Sequence, residues 1–182
     1  MILENILIYF VIIPLLMLAG LAVCRNMNQI RTVMTVLSTI LLGLSIYLCV
    51  DFLAIRAAGN VEPMLYMASW NWYEPLNIKL SLGVDGISVL MIMLSAIIVF
   101  AGTFASWKIS PLPKNFFLWF ALLSMGVFGF FISIDIFTMF MFYEVALIPM
   151  YLLIGVWGTG RKEYSAMKLT LMLMGGSAFL ML

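Results

Sequence analysis

The chain has 182 residues, of which 65% are hydrophobic and 9% are charged, with a formal net charge of +1 and a mean hydropathy of +1.19. Soluble domains carry about 25% charged residues, so this composition predicts an integral membrane protein. The net charge of +1 argues against nucleic acid as a partner. The absence of histidine excludes His-ligated haem, His-containing zinc sites and a histidine base. Cys24 and Cys49 fall near opposite ends of successive apolar segments, so we expect no disulfide, and we expect no protein-borne cofactor.

The first half of the chain predicts two membrane spans and one long loop. The spans are Ile2–Val23 and Val33–Ile55, and the first lacks the basic leader and the short ~7–15-residue apolar region of a signal peptide. The loop, residues 56–83, is rich in Trp and Tyr, as is typical of the lipid headgroup level, and its alternating pieces are compatible with a hairpin. Asp51 is expected at the lipid interface, with an outer-side polar contact as the alternative.

The second half predicts three more spans and the start of a sixth. The three spans are Val84–Trp107, Phe116–Ile134 and Ile136–Trp157. Asp85, within the motif GVDGIS, is expected to cap the third span by accepting hydrogen bonds from free backbone N–H groups. A sixth apolar run starts near Met167, and its last part, Leu169–Leu182, makes only ~21 Å of helix against a hydrocarbon core of ~30 Å. We therefore expect either a fragment or a second polypeptide that supplies the remainder.

These segments predict an all-α fold, a polytopic transmembrane bundle of about six helices that is truncated within the sixth. We expect one membrane domain over residues 1–182, made of the first two helices (1–55), an outer-side aromatic loop (56–83) and a helical core (84–182). Lysine and arginine concentrate in one set of loops, and such loops face the cytoplasm or matrix, so the N-terminus is expected outside. The basic residues of that set are Arg25, Arg31, Lys108, Lys114, Arg161 and Lys162.

One carboxylate, Glu144, lies near the middle of the fifth span, about 12 Å from its start at ~1.5 Å per residue. A charge at that depth costs at least ~2.5–3.5 kcal/mol, and a chain this apolar does not need it for packing. Pro149 cannot donate a backbone hydrogen bond and frees the carbonyl of Val145, which predicts a break in the helix beside the acid. The pattern favours a proton-handling site; the alternative is a carboxylate that only pairs with a neighbouring helix for assembly.

Three motifs carry a family resemblance. GVDGIS from Gly83, FYEVALIPMYLLIGVWG from Phe142 and RKEYSAMKLTLMLMGGS from Arg161 closely resemble the subunit 4 (M-chain) family of proton-pumping NADH–quinone oxidoreductase, respiratory complex I. The resemblance covers residues 83–182, whereas residues 1–82 fit only in hydropathy. The segment LIPMYLLIGVWG is the most specific part, because the other antiporter-like subunits share the glutamate but lack the Ile-Pro-Met that follows it.

The resemblance implies the start of an antiporter-like core with inverted repeats, in a subunit that carries no redox centre. It implies that Glu144 pairs with a lysine on a later helix, beyond Leu182. Lys168 matches the lysine at the start of the family's sixth helix, and it is interpreted either as part of a proton path or as a snorkelling interfacial lysine. Tyr143 departs from the usual Trp before the glutamate.

The implied function is that of a non-redox membrane-arm subunit that translocates protons, coupled to NADH–quinone electron transfer in other subunits. Its expected partners are other membrane subunits, including neighbouring antiporter-like subunits, and the lipid bilayer. The expected location is the bacterial inner membrane, with the mitochondrial inner membrane as the alternative. A subunit of an Mrp-type sodium/proton antiporter and a pure scaffold are the competing functions. Gly175, Gly176 and Ser177 are expected to allow close helix approach.

Overall fold

The computed structural model describes residues 6–24, 26–59, 62–73 and 78–181. Within these ranges the chain forms six helices and one two-stranded antiparallel sheet. The helices are α1 (Ile6–Val23), α2 (Met27–Ala57), α3 (Gly86–Ala105), α4 (Pro113–Ile132), α5 (Ile136–Trp157) and α6 (Lys162–Met181). The strands, β1 (Leu65–Tyr73) and β2 (Ile78–Val84), lie between α2 and α3. Helices α1 to α5 are long and apolar enough to cross a membrane, which confirms the predicted helical membrane bundle.

The observed helix boundaries differ most from the predicted ones where a helix starts with polar residues. Helix α2 begins at Met27 rather than Val33, and α6 begins at Lys162 rather than near Met167. Hydropathy detects only the apolar part of such a helix, whereas lysine, glutamine and arginine are good helix formers. The bounds of α5 are those predicted, because Asp135 and Gly158 flank its apolar run.

The aromatic loop contains a β-hairpin, with which its alternating sequence is compatible. Strand β1 pairs with β2, with Ser69 opposite Ser81. Strand β2 also contacts the α4–α5 loop, where the backbone N–H of Ile134 donates to the carbonyl of Ser81 at 3.0 Å. On the other side, the hydroxyl of Tyr66 donates to the Asp51 carboxylate on α2. The structure supports the alternative interpretation of Asp51, a polar contact: this carboxylate holds the hairpin against α2.

Two aspartates cap helices at the hairpin end of the bundle. Asp85 accepts a hydrogen bond of 2.7 Å from the backbone N–H of Ser88, as predicted. Hydrogen bonds from Ser88 hold the pKa of the Asp85 carboxyl below its usual value. Asp135 caps α5 by accepting from the N–H groups of Phe137 and Thr138, at 3.1 and 3.3 Å. The short turn before α5 is thus fixed by the same residue type that opens α3.

Three basic side chains bind the carbonyl ends of helices at the opposite end of the bundle, here called the basic end. They lie where α1, α3 and α5 finish, and each donates to a backbone carbonyl near one of these termini. The bonds are Lys114 Nζ to Cys24 O at 2.7 Å, Arg31 Nη2 to Trp107 O at 2.7 Å, and Lys162 Nζ to Val156 O at 2.8 Å. These contacts tie the N-terminal turns of α2, α4 and α6 to the helix ends beside them.

Helix α5 lies against both α4 and α6. Two glycines bring α4 close to it: a Cβ at Gly126 would lie 2.7 Å from the Cβ of Ala146, and one at Gly129 would lie 2.2 Å from the ring of Phe142. Neither position has room for a side chain. Gly175 and Gly176 differ, since a Cβ there would meet nothing within 4 Å in the described part of the chain.

Candidate functional site

Glu144 lies on α5 and is half-buried in the described structure. It is followed two residues later by Ala146, which packs against Gly126 of α4. On its other flank lies α6, so the carboxylate sits within a three-helix layer made by α4, α5 and α6. The helix that carries it is fixed at one end by the Asp135 cap and at the other by Lys162.

Within the described part of the chain, Glu144 accepts a hydrogen bond from a serine on α6. The hydroxyl of Ser177 donates to Glu144 Oε1 at 2.9 Å, and Ser177 is only 7% exposed. The Ser177 oxygen also lies 2.9 Å from the carbonyl of Met174, one helical turn earlier. Sequence reasoning assigned Ser177 to helix approach alone and missed this bond.

The helix bounds of the structure account for this pairing. Helices α5 and α6 are joined by a short connection, so residues at similar distances from it lie at similar depth in an antiparallel pair. Glu144 is 13 residues before Trp157, where α5 ends, and Ser177 is 15 residues after Lys162, where α6 begins. Counting outward from the turn brings the carboxylate and the hydroxyl to one level.

A cavity adjoins this pair. Its volume is about 130 Å³, and it is lined by Phe130, Phe140, Tyr143, Gly176 and Ser177. A water molecule occupies ~30 Å³ in the liquid and needs two or more polar partners. The hydroxyls of Tyr143 and Ser177 supply such partners, so the cavity can hydrate the neighbourhood of the carboxylate.

Tyr143, which precedes Glu144, makes a hydrogen bond to α6 through its hydroxyl. Tyr143 OH donates to the carbonyl of Leu173 on α6 at 3.4 Å, and its ring lies 6.1 Å from that of Phe130 between centroids. Two polar links, from Tyr143 and from Glu144, therefore join α5 to α6 next to the cavity.

Pro149 is buried, and α5 remains helical from Ile136 to Trp157 through this position. The expected break therefore takes the form of one missing backbone hydrogen bond, at the carbonyl of Val145, inside a continuous helix.

Lys168 does not lie beside Glu144. It is exposed on α6, and its ammonium lies 6.0 Å from the ring centroid of Tyr164 on the preceding turn. Nine residues separate it from Ser177, which is about 13 Å along a helix. The structure thus brings Ser177, and not Lys168, into contact with the carboxylate. Among the residues that the structure describes, no group of three potential metal ligands is present.

The comparisons with known proteins agree with the resemblance. A family model described as the transmembrane region of NADH:quinone oxidoreductase/Mrp antiporter matches residues 133–182. The chain is 40% identical over 114 residues to the chloroplast NAD(P)H-quinone oxidoreductase chain 4 of Anthoceros angustus, covering 62% of this chain and 23% of that one. It is 34% identical over 113 residues to NAD(P)H-quinone oxidoreductase chain 4 3 of a Picosynechococcus strain, covering 62% and 20%.

A third relative, from the chloroplast of Angiopteris evecta, is 37% identical over 124 residues, covering 68% of this chain and 25% of that chain 4. The alignments thus cover about a quarter or less of the length of these curated relatives. A chain in the structure of the membrane-bound sulfane sulfur reductase, an archaeal respiratory membrane complex, has the same fold over 96% of this chain and 34% of its own length, with a TM-score of 0.69 at 20% identity. Residues 133–182 therefore match the NADH:quinone oxidoreductase/Mrp antiporter family model, and the chain is similar to part of chain 4 of NAD(P)H-quinone oxidoreductases.

Proposed function

We propose that this chain is a proton-translocating, non-redox subunit in the membrane arm of an NADH–quinone oxidoreductase, and that Glu144 takes up and releases the proton. The observation that supports this most directly is a carboxylate within a membrane-spanning helix, hydrogen-bonded to a buried hydroxyl beside a cavity that has room for water. Ionisable groups inside membrane spans are costly and are commonly part of ion pathways. The electron-transfer chemistry would belong to other subunits.

The rest of the path runs along α6 in this proposal. Lys168 lies nearer the basic end than Ser177, in an open surface groove that is also lined by Tyr164, Met167, Leu171 and Met172. A cation there would favour water and anions near the start of the path and disfavour a second cation. We place Lys168 on the proton path as its basic-end member, with Glu144 as its central carboxylate.

The proposed setting is a bacterial inner membrane, with other membrane subunits, including antiporter-like ones, as neighbours. The basic end faces the cytoplasm in this proposal, which places the N-terminus and the hairpin outside. The concentration of lysine and arginine at that end supports the orientation. A reporter fused after Lys114 or Lys162 reads cytoplasmic under this orientation, and a reporter in the hairpin loop reads external.

The test is Glu144→Gln in the assembled membrane complex. Glutamine keeps the size and the hydrogen bond from Ser177 but cannot ionise, so we expect nearly normal subunit content and a strong fall in proton pumping. Quinone reduction falls with it where the two processes are tightly coupled. Glu144→Asp keeps an ionisable group with a shorter reach and should retain part of the activity, and Lys168→Gln should reduce the rate less than Glu144→Gln. A Glu144→Gln complex that assembles and pumps at the parental rate refutes the proposal.

The competing function is a sodium/proton antiporter of the Mrp type, since the matching family model covers both classes. The Ile148-Pro149-Met150 segment and the chain 4 relatives favour the oxidoreductase subunit. Proton movement that requires sodium and proceeds without any electron donor would favour the antiporter instead.

A further inference from the structure

We propose that Ser177 is a positioning residue for the proton carrier, whose hydroxyl reverses its hydrogen bond each time Glu144 gains or loses a proton. This inference rests on the proposed function of Glu144 and adds a second residue to the same site. It follows from the two acceptors that surround one hydroxyl group.

A serine hydroxyl has one hydrogen to donate and two lone pairs that accept. The Ser177 oxygen lies 2.9 Å from Glu144 Oε1 and 2.9 Å from the carbonyl oxygen of Met174. One hydrogen cannot make full bonds to both oxygens, so the charge on Glu144 decides which acceptor receives it. Hydrogen bonds to an ionised acceptor are about twice as strong as neutral ones, so the hydrogen points to Glu144 when the carboxylate is charged.

The protonated state reverses the direction. A protonated Glu144 carries its own O–H, which in an apolar layer needs an acceptor. Ser177 Oγ can accept it after the serine hydrogen has turned toward the Met174 carbonyl. No covalent bond of Ser177 is made or broken: the hydroxyl rotates about its Cβ–Oγ bond, while the proton is exchanged between the carboxyl oxygen of Glu144 and water. In both states every hydroxyl hydrogen of the pair has an acceptor.

The neighbouring cavity provides the place for that water, since Ser177 and Tyr143 line it. Ser177 thus holds the carboxyl group beside the cavity that it lines, in both protonation states.

The chain supplies a matched control in Ser124 on α4. Ser124 is 3% exposed, and its hydroxyl donates to the Ala121 carbonyl at 2.7 Å, three residues earlier, as Ser177 can do to Met174. No carboxylate bonds Ser124 within the described part of the chain. Replacing Ser124 by alanine therefore removes the same local bond from a helix without touching the carrier.

The experiment compares Ser177→Ala and Ser124→Ala with the parent in the assembled complex, measuring subunit content, proton pumping and the infrared difference spectrum of the carboxyl C=O stretch. Glu144→Gln identifies the band of this residue by removing it. We expect Ser177→Ala to lower pumping roughly tenfold, since it removes a hydrogen bond to a charged group, and to shift the Glu144 band to higher frequency. Ser124→Ala should change neither.

Ser177→Thr and Ser177→Val form a second pair of equal shape that differs in the hydroxyl, and this pair decides the outcome if the alanine variant assembles poorly. We expect threonine to restore both the rate and the band position and valine to leave both altered. Equal pumping by the two, with an unmoved band, overturns the role of Ser177. If Glu144→Gln abolishes pumping in that case, only this inference fails; if Glu144→Gln pumps normally, the proposed function fails with it.

Discussion

Gly126→Ala tests whether the contact between α4 and α5 sets the position of Glu144. A Cβ at residue 126 would lie 2.7 Å from the Cβ, 2.8 Å from the backbone nitrogen and 2.9 Å from the Cα of Ala146. The optimal separation of two carbon atoms is ~3.5–4.0 Å, so the two helices must move apart by about 0.8 Å or more. No rotamer change can relieve this contact, because two of the three atoms belong to the backbone of α5.

The expected cost combines two opposed terms. Overpacking a tight interior contact destabilises by about 1–3 kcal/mol, whereas glycine to alanine inside a helix contributes about 1 kcal/mol of helix propensity. Gly155→Ala is the matched control, because its Cβ would lie at 3.8 Å from the Cβ of Ala166, an ordinary contact. Since the propensity term is common to both variants, their difference isolates the packing term of about 1–3 kcal/mol.

The assay is the temperature at which the detergent-solubilised complex loses this subunit, together with its proton-pumping rate before heating. We expect Gly126→Ala to dissociate at a lower temperature than Gly155→Ala and to pump more slowly, because Glu144 is two residues from the displaced Ala146. Equal dissociation temperatures and equal rates for the two variants would show that the α4–α5 distance is not fixed at Gly126.

Two further predictions concern the hairpin end. Asp85→Ala should lower stability by about 1 kcal/mol, because it removes the N-cap of α3. Because the pKa of Asp85 is lowered, this stabilisation is present at neutral pH and disappears as the pH falls through that pKa. Parent and variant should therefore have equal thermal stability only in acid. Tyr66→Phe should speed protease cleavage of the hairpin at neutral pH. Burial and the bond to Asp51 raise the pKa of Tyr66, so in the parent this protection should persist up to the ordinary tyrosine range near ~10 and be lost at higher pH. Unchanged stability or cleavage at neutral pH would contradict the corresponding contact.

The sequence predicts the spans of this fold well because membrane insertion requires long apolar runs. Helix α5 is predicted with its correct bounds, since Asp135 and Gly158 interrupt its hydropathy on both sides. The starts of α2 and α6 were misplaced, because a helix can begin with polar residues that a hydropathy profile assigns to a loop. The sequence pattern of residues 56–83 allowed a hairpin but did not predict one, because strand pairing also depends on contacts with other parts of the chain.

The candidate site was likewise predicted only in part from the sequence. A carboxylate inside an apolar helix has a free-energy cost large enough to identify Glu144 without any structure. A serine costs little in a membrane helix, because it can bond to the carbonyl of the preceding turn, so Ser177 gives no comparable signal. Its role appears only when α5 and α6 are placed side by side. The bond between Asp51 and Tyr66 was missed for a related reason, since it joins a helix to a strand whose register the sequence does not fix.

The basic end shows how one set of residues meets two physical requirements. Lysine and arginine there favour a cytoplasmic location, and this is the only property that their positions in the sequence indicate. A helix C-terminus also leaves carbonyls without partners and carries a partial negative charge, which a nearby cation stabilises. Three cations bond carbonyls at these ends: Arg31 at α3, Lys114 at α1 and Lys162 at α5. Arg31 and Lys114 lie far in sequence from the carbonyls that they bond. The basic residues on which the proposed orientation rests therefore also bond the carbonyl ends of neighbouring helices, so neutralising one of them should weaken packing as well as orientation.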